Sequence, residues 1–380
     1  MSHWFHRFNR ILFTLVGALL VAACSALPFA TEAEPTATPP LQPTFEERPL
    51  LPSAAGGALA EEGDIMQDPI AETELYPAVR ATVALPESSV ALPTIDPLEV
   101  EQDIAVGGSA TVYPITRRMY RRFVREGYAG IMKIERVGTG EGFRLLCSVG
   151  TADIVNAGRT VTPDEIELCS SISRTPVPFA IGQAAVSLFV HPENDFVNSV
   201  TVAQISTIMT ATLWSDVDPQ WPAEPIHHLL PRVDSDEFAA VVRLVMGGNA
   251  DALRTAPNRT FFDTNDELIQ SFTGQRYAVS FASHILLLQN SEEFLRPVPI
   301  DGQLPTAANI LSGRYPLVFP LYLYTDPGIL QGKPQVAAFI NFYLNHINEE
   351  IREVGYFPAA VEDLDAARTQ LLEILGDELY

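Results

Sequence analysis

Residues 103–116 read Asp-Ile-Ala-Val-Gly-Gly-Ser-Ala-Thr-Val-Tyr-Pro-Ile-Thr. The short apolar run Asp103 to Val106 is a strand candidate; it breaks at Gly107-Gly108-Ser109, and a helix from about Pro114 to Arg125 follows. Proline in the first helical turn costs nothing there, because that amide has no intrahelical partner. A strand handed through a glycine-containing turn into a helix is the building unit of a mostly parallel α/β sheet.

The unit recurs. Ala152 to Ala157 reads as a strand, and Thr162-Pro163-Asp164-Glu165 forms a capping box leading into Ile166 to Cys169. Ala184 to Val190 and Tyr277 to Ser283 read as buried strands flanking a middle block. That block has a helix from Val202 to about Met209, a strand near His227 to Leu230 and a helix from Glu237 to Met246. Later, Val336, Phe339, Ile340, Tyr343, Leu344 and Ile347 recur at helical spacing and should line one buried face. Two chain crossings around an inserted block predict an α/β fold of two lobes joined by a hinge, each lobe a mixed sheet flanked by helices. Residues 102–183 plus 282–380 form lobe 1 and residues 184–281 form lobe 2. Ligands of such folds sit between the lobes, at the carboxyl ends of strands.

The chain of 380 residues begins with an address. In residues 1–23, Arg7 and Arg10 supply positive charge, and Ile11 to Ala23 is an apolar run shorter than the roughly 20 residues a spanning helix needs. It ends at Val21-Ala22-Ala23-Cys24, which resembles the bacterial lipoprotein box. That resemblance implies a diacylated Cys24 as membrane anchor on an exported protein, at the outer face of the cytoplasmic membrane. An ordinary signal peptide ending near a cysteine is the alternative. Two acyl chains hold stably, since each buried methylene contributes about 0.8 kcal/mol. Residues 24–101, with dispersed prolines, acids and no sustained apolar period, read as a disordered tether, with a docked strand or helix over Ala71 to Val90 as the alternative.

The net charge of −23 argues against nucleic acid as a partner, because a phosphodiester backbone needs a basic face. Much of that charge lies off the folded part: Thr31 to Val100 holds 13 acidic residues against Arg48 and Arg80 alone. With Cys24 set aside, Cys147 and Cys169 remain, free to bridge in an oxidising compartment or to stay as two buried thiols. His191, His227, His228, His284 and His346 are too scattered to complete a zinc site with them, so no metal or cofactor is expected. No nucleophile elbow or P-loop is present either, which argues against an enzyme.

From Asp103 to about Pro358 the chain resembles the phosphate-binding subunits of phosphate ABC transporters, a family with the type II periplasmic-binding fold. The family's opening loop Gly-Ser-Ser-Thr-Val-Tyr-Pro-Ile-Thr stands here as Gly108-Ser109-Ala110-Thr111-Val112-Tyr113-Pro114-Ile115-Thr116. Its Gly-Thr-Gly-Gly-Gly-Phe turn stands as Gly138-Thr139-Gly140-Glu141-Gly142-Phe143, followed by Asp153-Ile154-Val155-Asn156-Ala157-Gly158-Arg159. Cys147 and Cys169 flank that segment as in one branch of the family. Leu213-Trp214-Ser215-Asp216-Val217, Trp221-Pro222, Ser312-Gly313-Arg314-Tyr315-Pro316 and Val354-Gly355-Tyr356-Phe357-Pro358 continue the match in order.

The resemblance implies a monomeric solute-binding protein that captures inorganic phosphate and delivers it to an ABC permease. An oxyanion in a dry cleft needs a donor for each oxygen, and helix N-termini supply amides with a favourable dipole end. Ser109 and Thr111 are the expected hydroxyl donors, with amides near Ala110 and around Gly140 completing the ring. Arg159 and Arg232 bring guanidinium forks that suit tetrahedral anions, and Asp234, beside Ser235, could accept the proton of monoprotonated phosphate. Plainer roles compete: Ser109, Thr111 and Ser235 as helix caps, Arg159 in an ion pair.

Departures fall in the loops that should touch ligand. The family's Asp-Ser-Gly-Thr-Phe is Asp234-Ser235-Asp236-Glu237-Phe238, Glu141 replaces a glycine, and Gly158 and Ala110 replace serines. Two like charges a few ångströms apart repel by about 4 kcal/mol at an effective dielectric of 20. If Asp236 and Glu237 face the cleft, tight phosphate binding should fail; pointing outward in a first helical turn, they would be harmless. A second function class therefore stays open: the same fold binding another oxyanion, or serving as a non-transport sensor or scaffold at the cell surface.

Overall fold

The stretch at 103–116 folds as its pattern predicts: β1 (Ile104–Gly108) turns at Ser109 and enters a helix over Tyr113–Arg125. The computed structural model describes residues 87–255, 257–286 and 294–376. The expected signal peptide 1–23, Cys24 and most of the expected tether lie outside the described residues.

The other strands are β2 (Met132–Arg136), β3 (Ile154–Ala157), β4 (Val177–Val190), β5 (His227–Pro231), β6 (Arg259–Phe262), β7 (Ala278–Ser283), β8 (Arg296–Val298) and β9 (Val318–Thr325). Their order is β2-β1-β3-β9-β4-β7-β5-β6, with β8 also on β4. β1 is parallel to β2 and β3, and β5 is parallel to β6 and β7, whereas β9, β7 and β8 run antiparallel to β4. Each half is thus a mixed sheet with a parallel segment, as the alternation of strands and helices predicts. β4 is common to both: Val177 to Ala185 pair with β9, and Val186 to Val190 pair with β7.

Helices cover the sheets where the sequence places them. Thr162 accepts from the Glu165 amide and the Glu165 carboxylate accepts from the Thr162 amide, so the capping box opens the Pro163–Ser170 helix as read. The apolar-periodic segment forms the Pro334–Glu350 helix, but its burial is wider than one face. Ala337, Ala338, Asn341 and Phe342 are buried along with the expected six, because the helix is sandwiched between neighbours. Phe123 of the 113–125 helix packs on Phe339 and Phe342 with ring centroids 5.4 and 4.9 Å apart. In the second half, Phe196, Trp214, Trp221 and Tyr277 form an aromatic cluster, and Trp214 Nε1 donates to the Tyr277 carbonyl at 3.1 Å.

The tether expected over 24–101 needs correction at its carboxyl end: residues 88–100 are docked. Ser89 Oγ and its amide donate to Asp365 at 2.6 and 3.0 Å, Arg368 donates to the Val90 carbonyl at 2.8 Å and Asn345 to the Pro93 carbonyl at 3.2 Å. Val100 is buried, and Pro97 starts a short helical turn capped by Asp96. Prolines and acids misled the reading here, since side chains of the Pro334–Glu350 and Val361–Leu375 helices supply the partners that a local pattern cannot show.

Cys147 and Cys169, both fully buried, meet as a disulfide across 22 residues. Closing a loop of that size contributes about 3 kcal/mol on the chain-entropy model. Replacing both with serine should lower the unfolding free energy by about that amount in urea titrations, and the reduced wild-type protein should unfold at the same midpoint as the double variant.

Candidate functional site

Three turns of the first lobe converge. β1 ends at Gly108 and delivers Ser109; the Thr139–Arg144 helix begins beside it; β3 ends one residue before Gly158. The convergence depends on Gly108. Its φ is +134°, and a Cβ there would lie 2.1 Å from the Asn156 carbonyl oxygen, so only glycine lets β1 and β3 close this tightly. The Ser109 amide then donates to that same carbonyl at 2.8 Å.

From the other lobe, β5 leads through Arg232 to Ser235 into the Asp236–Leu244 helix. Its first residue settles the open question. Asp236 points inward and is 4% exposed. Ser109 Oγ donates to Asp236 Oδ2, and Thr139 Oγ1 donates to Asp236 Oδ1 at 2.7 Å. Each hydroxyl is oriented by an amide that donates to it, Val112 to Ser109 Oγ at 2.9 Å and Gly158 to Thr139 Oγ1 at 3.2 Å. A hydroxyl has one proton, so accepting an amide leaves that proton aimed at the carboxylate.

Glu237 follows. Thr111 Oγ1 donates to its Oε1 at 3.1 Å, and burial first, then the neighbouring Asp236 charge, push its carboxyl up to about 7. Glu141 does not enter the cleft: it pairs with Arg144 at the surface, Nε to Oε2 at 2.7 Å.

The structure thus brings Ser109 and Thr111 to one place, with Ala110 exposed between them. Gly140 is also exposed, and a Cβ on it would lie 3.5 Å from the Arg159 guanidinium, which sets these two side by side. Arg159 is held in a bidentate pair with Glu165 at 2.8 and 2.7 Å, the competing role named above. Arg232 pairs with Asp234 at 2.8 Å where both are about half exposed, and this contact holds the Asp234 carboxyl below the usual range. Ser235 caps its own helix, accepting from the Phe238 amide at 3.1 Å. Sequence reasoning did not single out Thr139, although its hydroxyl lies inside the quoted glycine turn, and it left the direction of Asp236 undecided.

A family model described as the PBP superfamily domain matches residues 87–346. The protein SphX of Synechocystis sp. is 29% identical over 279 residues, covering 70% of this chain and 81% of that one. The phosphate-binding protein PstS of Staphylococcus saprophyticus is 26% identical over 286 residues, covering 73% and 87%. Among solved structures, that of a possible phosphate binding protein from Planctomyces limnophilus is 27% identical with a TM-score of 0.56, covering 73% of this chain and 99% of that one.

The raised carboxyl at Glu237 makes stability depend on pH. Its folded value lies above the unfolded 4.5, so its contribution is complete below about pH 4.5 and is lost as pH rises through 7. Glu237→Gln should therefore be about 3 kcal/mol more stable than wild type at alkaline pH, with the difference closing as the solution is acidified, measured by denaturant titration across pH.

Proposed function

The chain belongs to the PBP superfamily, whose members are solute-binding proteins rather than enzymes, and on that footing we propose that it is an exported, lipid-anchored binding protein that captures inorganic phosphate or a related tetrahedral oxyanion for an ABC importer. One observation carries the reading: two hydroxyls in the cleft, each fixed by a backbone amide, direct their protons at negatively charged oxygen. Donors fixed in advance lose little freedom on meeting an anion, which is the requirement for binding one out of water.

In this role Ser109, Thr139 and Thr111 supply hydroxyls, and the backbone beside Ala110 and Gly140 supplies amides. Arg159 stands next to Gly140, while Arg232, Asp234 and Ser235 border the cleft from lobe 2. Cys24 carries the anchor, placing the protein at the outer face of the cytoplasmic membrane. The names of the phosphate-binding relatives support the ligand class.

A second reading, the same fold used as a sensor or scaffold without transport, is favoured by Asp236 and Glu237 standing in the cleft. Calorimetry on the purified full-length protein with phosphate, sulfate and molybdate separates the two. Saturable heat with phosphate supports capture, and no heat with any of the three, from wild type and from a variant lacking the Asp236 carboxylate alike, sinks it. The anchor is tested by fractionation: Cys24→Ser should move the protein from the membrane pellet to the soluble exported fraction.

A further inference from the structure

Of the three hydroxyls that the first lobe brings to the cleft, Thr111 donates to Glu237, and the two oriented by backbone amides, Ser109 and Thr139, give their protons to one side chain of the protein itself. Asp236 belongs to the second lobe, is 4% exposed, and gives one oxygen to Ser109 Oγ and the other to Thr139 Oγ1. To a hydroxyl, a carboxylate and an oxyanion look alike: each presents acceptor-only oxygens with a negative charge.

The space around it agrees. A Cβ on Gly158 would lie 2.3 Å from Asp236 Cγ and 2.6 Å from Asp236 Cβ, inside the distance real atoms keep. A bare backbone at 158 and a carboxylate at 236 are therefore one feature seen from its two sides. Gly158 has no left-handed backbone to justify it, since its φ is outside the positive range. Asp236 is what makes a side chain there costly.

We infer that Asp236 is a tethered anion that latches the two lobes together by occupying the oxyanion position, so that a free oxyanion binds only by displacing it. This rests on the reading of the cleft as an oxyanion site. The competitor is attached to the chain, and an attached group acts at an effective concentration of order millimolar or above, whatever the solution contains. The cleft then answers to a free oxyanion only where that oxyanion is abundant, and the threshold is set by the covalent structure rather than by affinity alone.

The test uses the full-length protein in three forms, wild type, Asp236→Ala and Gly158→Ser. Gly158→Ser leaves the carboxylate in the chain but drives it from its place, so it guards against a folding defect in the first variant. Hydrogen exchange at the amides of Val112 and Gly158 reads the latch. In phosphate-free buffer both variants should exchange there at least about 10-fold faster than wild type, and calorimetry should give Asp236→Ala at least about 100-fold tighter phosphate binding. Unchanged exchange in both variants overturns the latch. If wild type binds phosphate tightly and Asp236→Ala binds it more weakly, the latch falls while the oxyanion reading stands. If the variants open but bind neither phosphate nor sulfate, the oxyanion reading fails and the displacement falls with it, leaving Asp236 as a contact between the lobes alone.

Discussion

Everything in this molecule is arranged around β4, a strand that belongs to two sheets at once. Its first nine residues complete one ladder with β9, and its last five start another with β7 and β8. Such a strand has almost no face to leave in water. From Ala184 to Val190 every side chain is buried, which is why the segment reads as an unbroken apolar run rather than an alternating one. The register shift between Ala180 and Gly182 bends it just before the change of partner. There a Cβ on Gly182 would meet the Ile351 side chain at 2.0 Å, so the bend is packed tightly against the start of the carboxyl-terminal segment.

Those parts of the fold that depend on local pattern were legible beforehand. The strand at 103, the capping box at Thr162, the helices at 113, 202 and 236 and the strands around 184 and 278 all lie where propensity, capping chemistry and periodicity put them, within a few residues. Long-range contacts were not legible. Residues 88–100 have the composition of a tether, yet Asp365, Arg368 and Asn345, more than 250 positions downstream, hold them by hydrogen bonds while Leu92, Ile95 and Val100 pack on the core. The Pro334–Glu350 helix shows its strongest apolar stripe in sequence, but Ala338, Asn341 and Phe342 owe their burial to neighbours on the other sides.

The candidate site divides in the same way. Ser109 and Thr111 were named because the loop bearing them resembles the opening loop of the phosphate-binding family, and it leads from a strand into a helix as such a site requires. Asp236 was visible only as a departure, because a carboxylate in a first helical turn is favourable whether it points outward or in. What turns it inward is a pair of oriented hydroxyls from the other lobe and the empty side of Gly158. Two departures that look independent along the chain, at 158 and 236, thus fit one another, and changing either confronts the other.

The docking of residues 88–100 has a mechanical side. Force transmitted along the chain from its amino-terminal end enters the described fold at Ser88, Ser89 and Val90, and is received by the carboxyl-terminal helix through Asp365 and Arg368. That helix packs on the Pro334–Glu350 helix and so on the core of lobe 1. A pull from that side loads lobe 1 first, and it reaches the opposite lobe along β4, the strand both sheets share, and through the Asp236 contacts with Ser109 and Thr139.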